Sequence, residues 1–222
     1  CKESVWKYEG MWEDFSHTVG FWADMKNPYV TYHNDYIESE WWALKEIWKK
    51  GLLYEGHKIV PYCPRCGTPL SSHEVAQGYK DVKERSAVVR FKVKGEDAYI
   101  LAWTTTPWTL PSNVALCVNP DEDYVKVTSK GYTYYMAAAL VDTVLGEGAE
   151  ILEHYQGKDL EFKEYEPLFP YAEKRIGNKK AYYVVCDTYV TLTDGTGVVH
   201  IAPAFGEDDS KVGHRYDLPF VQ

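Results

Sequence analysis

The chain has 222 residues, room for one or two domains of roughly 100–200 residues each and enough to bury a core without disulfides. Hydrophobic residues make up 45% and charged residues 26%, which excludes disorder as the main state. Lys and Arg number 24 against 33 Asp and Glu, a net charge of −9, so a protein that coats nucleic acid along its length is excluded and any such contact is local.

Taken in chain order, Lys2 to about His17 carries Val5, Trp6, Tyr8, Met11, Trp12 and Phe15 in a helical stripe. Asn27-Pro28 breaks the chain, and Tyr29 to Tyr32 reads as short β. Asp35 stands three residues before Glu38, a capping-box spacing, and Ile37, Trp41, Leu44 and Trp48 follow at helical intervals. The expectation is a helix from Asp35 to Lys50, stopped at Gly51. Gly56 to Tyr79 is rich in turn residues.

Strands dominate thereafter. Ser86 to Val93 alternates, with Ala87, Val89, Phe91 and Val93 on one side, and Ala98 to Trp103 is a buried apolar run. Val114–Val118, Tyr124–Thr128 and Tyr132–Met136 are short strands punctuated by Asn119-Pro120-Asp121 and Ser129-Lys130-Gly131 turns. A helix is expected over Ala137 to Leu145, ended by Gly146, then strands over Tyr182–Val185 and Val198–Ile201. Strands at this spacing suggest a barrel or a two-sheet β-domain, and the expected fold is α+β with a β-barrel-like domain and short helices. The expected domains are a helical stem over 1–55, a zinc-knuckle-like connector over 56–80, and a β-rich domain over 81–222.

No stretch suits a membrane: the uncharged run from Ala98 to Pro120 is broken by Thr, Pro and Asn. Cys1-Lys-Glu-Ser lacks the basic and apolar regions of a signal peptide. The missing initiator Met and the abrupt Val221-Gln222 end read as a piece cut from a longer chain. Five cysteines with one close pair are no disulfide framework, which points to a reducing, cytoplasmic compartment.

Three constellations carry chemistry. Cys63-Pro-Arg-Cys66 places two thiols across a tight turn, which reads as half of a tetrahedral zinc site, with a bare turn of free thiols or a redox pair as the alternatives. His57, His73, Cys117 and Cys186 form no second close pair, so the partner pair is expected outside this chain. Trp103-Thr-Thr-Thr-Pro-Trp-Thr-Leu-Pro-Ser-Asn113 puts hydroxyls and backbone N–H groups at a strand end, where they suit an ester carbonyl, a ribose or a phosphate. An ordinary strand running into a Ser/Thr turn would carry the same residues. Gly195-Thr-Gly-Val-Val-His200-Ile-Ala-Pro-Ala-Phe-Gly206-Glu-Asp-Asp209 reads as turn, strand, loop and acidic helix start. Carboxylates at a helix start have a structural reason of their own. Together the last two segments could face one pocket, with a carboxylate for an amine and hydroxyls for an ester. No phosphate-binding P-loop is present.

These segments, with CPRCGTPLSSHEVA, resemble the connective-peptide insertion of isoleucyl-tRNA synthetases, which carries an editing domain. The resemblance spans nearly the whole chain and is weakest from about Asp123 to Lys180. Thr106, where valyl and leucyl relatives carry Arg, favours the isoleucyl branch. The resemblance implies hydrolysis of mischarged Val-tRNA(Ile), with isoleucine excluded by size. By the same resemblance Asp209 meets the α-ammonium, and His200 lines the amino-acid pocket. Thr104, Thr105 and Thr106 surround the ester and terminal adenosine, Asn113 lies near the reacting groups, and Trp103 packs beside the pocket. It implies as partners the tRNA(Ile) 3′ end and the synthetic domains of a parent enzyme, with a monomeric piece and no membrane. No cofactor is needed for editing, and the structural zinc at Cys63 and Cys66 is incomplete. The family's editing region continues past Gln222, so the domain is expected to be truncated there. The adenylate-binding His-Ile-Gly-His and Lys-Met-Ser-Lys-Ser signatures are absent, so aminoacylation by this chain alone is not expected. The alternative of another class is a non-catalytic, zinc-dependent RNA 3′-end binding module, for which Lys80, Lys83, Arg85, Arg90, Lys92 and Lys94 supply local basic surface.

Overall fold

A computed structural model of the chain describes residues 2–222. By contact density it divides into two units, residues 1–57 and 58–222. The first is helical: α1 (Lys2–Lys7), α2 (Glu9–Thr18) and α3 (Asn34–Lys49). The expected first helix is thus two, and Tyr29 to Tyr32 is turn and coil rather than β. The capping box at Asp35 is not made either. His33 is the N-cap of α3 and gives no side-chain bond, while Gly51 stops the helix with φ +69°. No residue of these helices is buried.

The second unit opens with a two-stranded hairpin, β1 (Tyr62–Cys63) and β2 (Thr68–Pro69), followed by α4 (Ser72–Ala76). Here a capping box does form, between Ser71 and Glu74. The main sheet comprises β3 (Ala87–Lys92), β4 (Tyr99–Thr104), β5 (Ala115–Val118), β6 (Asp123–Ser129), β7 (Tyr132–Ala137), β8 (Glu150–Gln156), β9 (Tyr183–Cys186) and β10 (Val198–Ile201). Its order is β8-β6-β7-β4-β10-β5-β9, with β3 also paired to β4. The sheet is mixed: β4 runs parallel to β7 and β10, and β5 parallel to β9, while the remaining pairs are antiparallel. It curls as a half-barrel with few short helices, an α+β fold. Lys130 (φ +52°) and Gly131 (φ +82°) make the two-residue β6–β7 turn, the left-handed geometry that matches strand twist.

Two apolar cores form. Leu116, Val118, Val184 and Cys186 belong to one, whereas Ala115, Cys117, Tyr183 and Val185 belong to the other. Alternate residues of β5 and β9 therefore feed opposite faces, which is why both strands are buried throughout. In place of the single helix expected from Ala137, a 3₁₀ turn over Ala138–Leu140 leads into α5 (Val141–Leu145), and the last helix, α6 (Glu207–Arg215), starts at Gly206 with three consecutive carboxylates in its first turn. No helix among the described residues is long and apolar enough to cross a membrane.

Candidate active site at the end of two strands

β4 ends in the threonine run. Pro107 then turns the chain into a 3₁₀ helix over Pro107–Ser112, because proline's fixed φ suits a first helical turn. That turn folds the hydroxyls back on one another. The Thr106 N–H donates to Thr104 Oγ1 at 3.0 Å, and Thr109 Oγ1 donates to the Thr106 carbonyl at 2.8 Å. β10 lies parallel to β4 with Val199 opposite Trp103, which brings His200 alongside. His200 Nε2 and Thr109 Oγ1 are 3.0 Å apart although 91 residues separate them in the chain. The Thr109 proton is committed to a carbonyl, so Nε2–H donates to Thr109 and Nδ1 is left as a bare, buried acceptor.

A cavity of about 340 Å³ opens here, lined by Trp103, Thr104, Thr105, Thr106, Trp108, Thr109, Val199, His200, Phe205, Gly206 and Asp209. Asp209 comes from the first turn of α6, and its Oδ2 accepts the Ala202 N–H at 2.9 Å. Its carboxyl is pushed up to about 6, chiefly by burial. His200 moves the other way: burial pushes it down to about 4, so the imidazole is neutral at pH 7. A Cβ on Gly206 would come within 3.0 Å of Asp209 Cγ, so the glycine leaves room for that carboxylate. Gly195 (φ +78°) lets its loop lie directly on the Trp103 ring.

The structure thus gathers Trp103, Thr104, Thr105, Thr106, His200 and Asp209 around one cavity. Asn113 is not in its lining. Its Nδ2 donates to the Ala115 carbonyl at 2.8 Å and its Oδ1 accepts from Tyr165 Oη at 2.7 Å, so the amide anchors the entry to β5. Thr109, Trp108 and Phe205 join the lining without having stood out in the sequence. Thr109 carried a signal, standing three residues after Thr106 across a proline-started turn.

Cys63 and Cys66 sit at the β1–β2 turn, where the Cys66 N–H points at Cys63 Sγ at 3.3 Å. That hydrogen bond draws the Cys63 thiol below its ordinary range. The turn has the form of half a metal knuckle, but among the described residues no third His, Cys, Asp or Glu gathers with the pair. The expected zinc-knuckle connector is therefore not supported, since a tetrahedral site needs four ligands. Residues 58–80 also group with the second unit rather than standing apart as a connector.

Residues 1–194 match the family described as tRNA synthetases class I (I, L, M and V). The chain belongs to this family. It is 62% identical over its whole length to the isoleucine–tRNA ligase of Clostridium acetobutylicum and 60% identical to that of Clostridium novyi, covering 21% of each. The corresponding ligase of Picrophilus torridus is 50% identical, again over the whole chain. The chain spans about a fifth of the length of these curated relatives. Among solved structures, the editing domain of the P. knowlesi cytosolic leucyl-tRNA synthetase aligns at 15% identity and a TM-score of 0.47, over 64% of this chain and 66% of that one.

Proposed function

We propose that this member of the class I synthetase family is a proofreading hydrolase that cleaves the ester of valine mischarged onto tRNA(Ile). The carrying observation is the convergence of the threonine run, His200 and Asp209 on one cavity from segments 91 and more residues apart. Its partners in this reading are the tRNA(Ile) 3′ end and the synthetic domains of an isoleucine–tRNA ligase, in the cytoplasm. In this reading the hydrolysis needs no cofactor.

An aminoacyl ester carries an α-ammonium beside the bond to be cut. Asp209 is ionised in most molecules at pH 7 and supplies the matching anion inside the cavity. Thr104 Oγ1 accepts the Thr106 N–H and lies 3.4 Å from Thr106 Oγ1, and in this reading its proton turns to the ester carbonyl as negative charge develops there. Neutral His200, held by Thr109, offers an uncharged wall to a branched apolar side chain. No side chain of the cavity is a strong base beside the ester. Water attacks the carbonyl, positioned by the free ribose hydroxyl of the terminal adenosine.

Size selection follows from the wall. A synthetic site gains only about 1–3 kcal/mol from one extra methylene, a general magnitude for which isoleucyl enzymes are the standard example. A second cavity that admits valine and rejects isoleucine multiplies that discrimination.

The test is release of amino acid from Val-tRNA(Ile) and Ile-tRNA(Ile) by this chain and two variants. Selective release of valine is expected, with Asp209→Ala losing about a hundredfold or more through lost positioning. His200→Ala is expected to admit isoleucine. Near-normal valine release by Asp209→Ala would sink the ammonium pairing, and full sparing of isoleucine by His200→Ala would sink the size gate. RNA binding without any release, by the chain and in its parent ligase, would favour the non-catalytic binding module.

A further inference from the structure

Beyond the cavity, β3, β4 and β7 present an aromatic cluster on one sheet face. Tyr99, Tyr132 and Tyr134 lie with ring centroids 6.1–6.4 Å apart. The Arg90 guanidinium sits over Tyr132 at 4.8 Å and over Tyr99 at 5.6 Å, and Lys92 Nζ lies 4.7 Å from the Tyr99 ring. Register explains the grouping, since Lys92 is opposite Tyr99 and Tyr99 is beside Tyr134. Tyr132 is 46% exposed, Arg90 is exposed and Tyr99 is half-buried, so these three open to solvent above Tyr134, which is buried in the core beneath them.

The charges are distributed unevenly. Lys126 and Lys163 share Glu96, Lys94 and Lys180 share Glu164, and Lys92 pairs with Asp97. Among the described residues no carboxylate lies within ion-pair distance of Arg90, whose neighbours are tyrosines. Lack of an ion pair does not set Arg90 apart, since among the described residues Arg65, Arg85 and Arg175 have none either; its place over two tyrosine rings does.

The cluster also has a direction. Tyr99, Leu101 and Trp103 alternate along the same face of β4, and Trp103 lines the cavity. Four extended residues put the platform about 13 Å from Trp103.

We propose that Arg90, Tyr99 and Tyr132, floored by Tyr134, form a stacking platform for the single-stranded RNA that leads into the cavity. The inference rests on the hydrolase reading for the identity of that RNA as a tRNA 3′ end. Exposed aromatic faces stack on bases whatever their sequence, and Arg90 contacts the intervening phosphate. Duplex RNA keeps its bases stacked internally and offers none to the tyrosines.

The experiment is fluorescence-anisotropy titration of this chain with a short 5′-fluorescein-labelled single-stranded RNA ending in CCA, and with a blunt duplex of the same sequence. Tighter binding of the single strand is expected. Tyr132→Ala is expected to weaken it about tenfold and Tyr132→Phe to restore it, because the phenyl face is what stacks. Arg90→Gln is expected to weaken it several-fold and to reduce the slope of log affinity against log salt by about 0.7, one phosphate's share on a single strand. Unchanged single-strand affinity in Tyr132→Ala and Arg90→Gln, or equal affinity for the duplex, overturns the platform. The probe carries no amino acid, so these outcomes are independent of hydrolysis. Lost valine release with intact, Tyr132-dependent RNA binding counts against the hydrolase reading alone.

Discussion

At pH 7 the cavity holds one charged and one neutral titratable side chain, and burial acts on them with opposite signs. Asp209 rises from 3.8 to about 6, so ionising it in the folded state costs stability. The stability of the protonated form is fully present below about 4 and is lost as pH rises through about 6. His200 falls from 6.5 to about 4, so its contribution is full above 6.5 and is lost as pH falls through about 4. Valine release should therefore climb as pH rises through about 6, tracking the Asp209 carboxylate, in a pH–rate profile. Asp209→Asn should abolish release yet raise stability above pH 6, by on the order of 2 kcal/mol, because the amide removes a buried charge. Its Oδ1 can still accept the Ala202 N–H. Urea titrations at pH 5 and pH 8 check this: a gain that is absent at the higher pH would mean the carboxylate carries no burial cost.

At the scale of elements, the site depends on two strand ends held in parallel and on short turns that aim the side chains beyond them. Gly206 has φ −136°, ordinary backbone for any residue, so its effect on Asp209 comes from contact alone. Gly206→Ala should therefore leave the melting temperature within a few degrees while lowering valine release at least tenfold. A wild-type rate in that variant would show that the carboxylate has slack. Most elements were legible because apolar alternation marks strands and glycine marks their ends: Val198–Ile201 is found where the spacing put it. β8 was not, because Glu150–Gln156 is an edge strand, almost wholly exposed, and carries no buried face to leave a pattern. The capping box at Asp35 failed although its spacing was right, since the helix starts one residue earlier and hands the cap to His33. Site residues divided the same way. Trp103, Thr104, Thr105, Thr106, His200 and Asp209 belong to two continuous motifs, whereas the Thr109–His200 contact needs the pairing of β4 with β10, which no local pattern encodes.

The whole molecule is uneven in burial. Both apolar cores lie in residues 58–222, and no residue of the helices in 1–57 is buried. Backbone protection should match this division. Hydrogen exchange read by mass spectrometry should be slowest in β5, β9 and β10, covered on both faces or nearly so, and fast throughout α1, α2 and α3. Slow exchange in those helices would require cover that residues 1–57 do not themselves provide.

The alternation that splits β5 and β9 between two cores also governs sulfur chemistry. Cys117 and Cys186 occupy neighbouring strands but face opposite cores. They cannot bridge, and burial raises both thiols, Cys186 to about 11. Cys63 and Cys66 sit at a hairpin turn within reach of solvent. Of the four described thiols, two are open to alkylating reagents at once and two are sealed until the sheet parts. A thiol-reactive dye would thus label the hairpin first, and the slow second phase would time the opening of the sheet that holds the cavity.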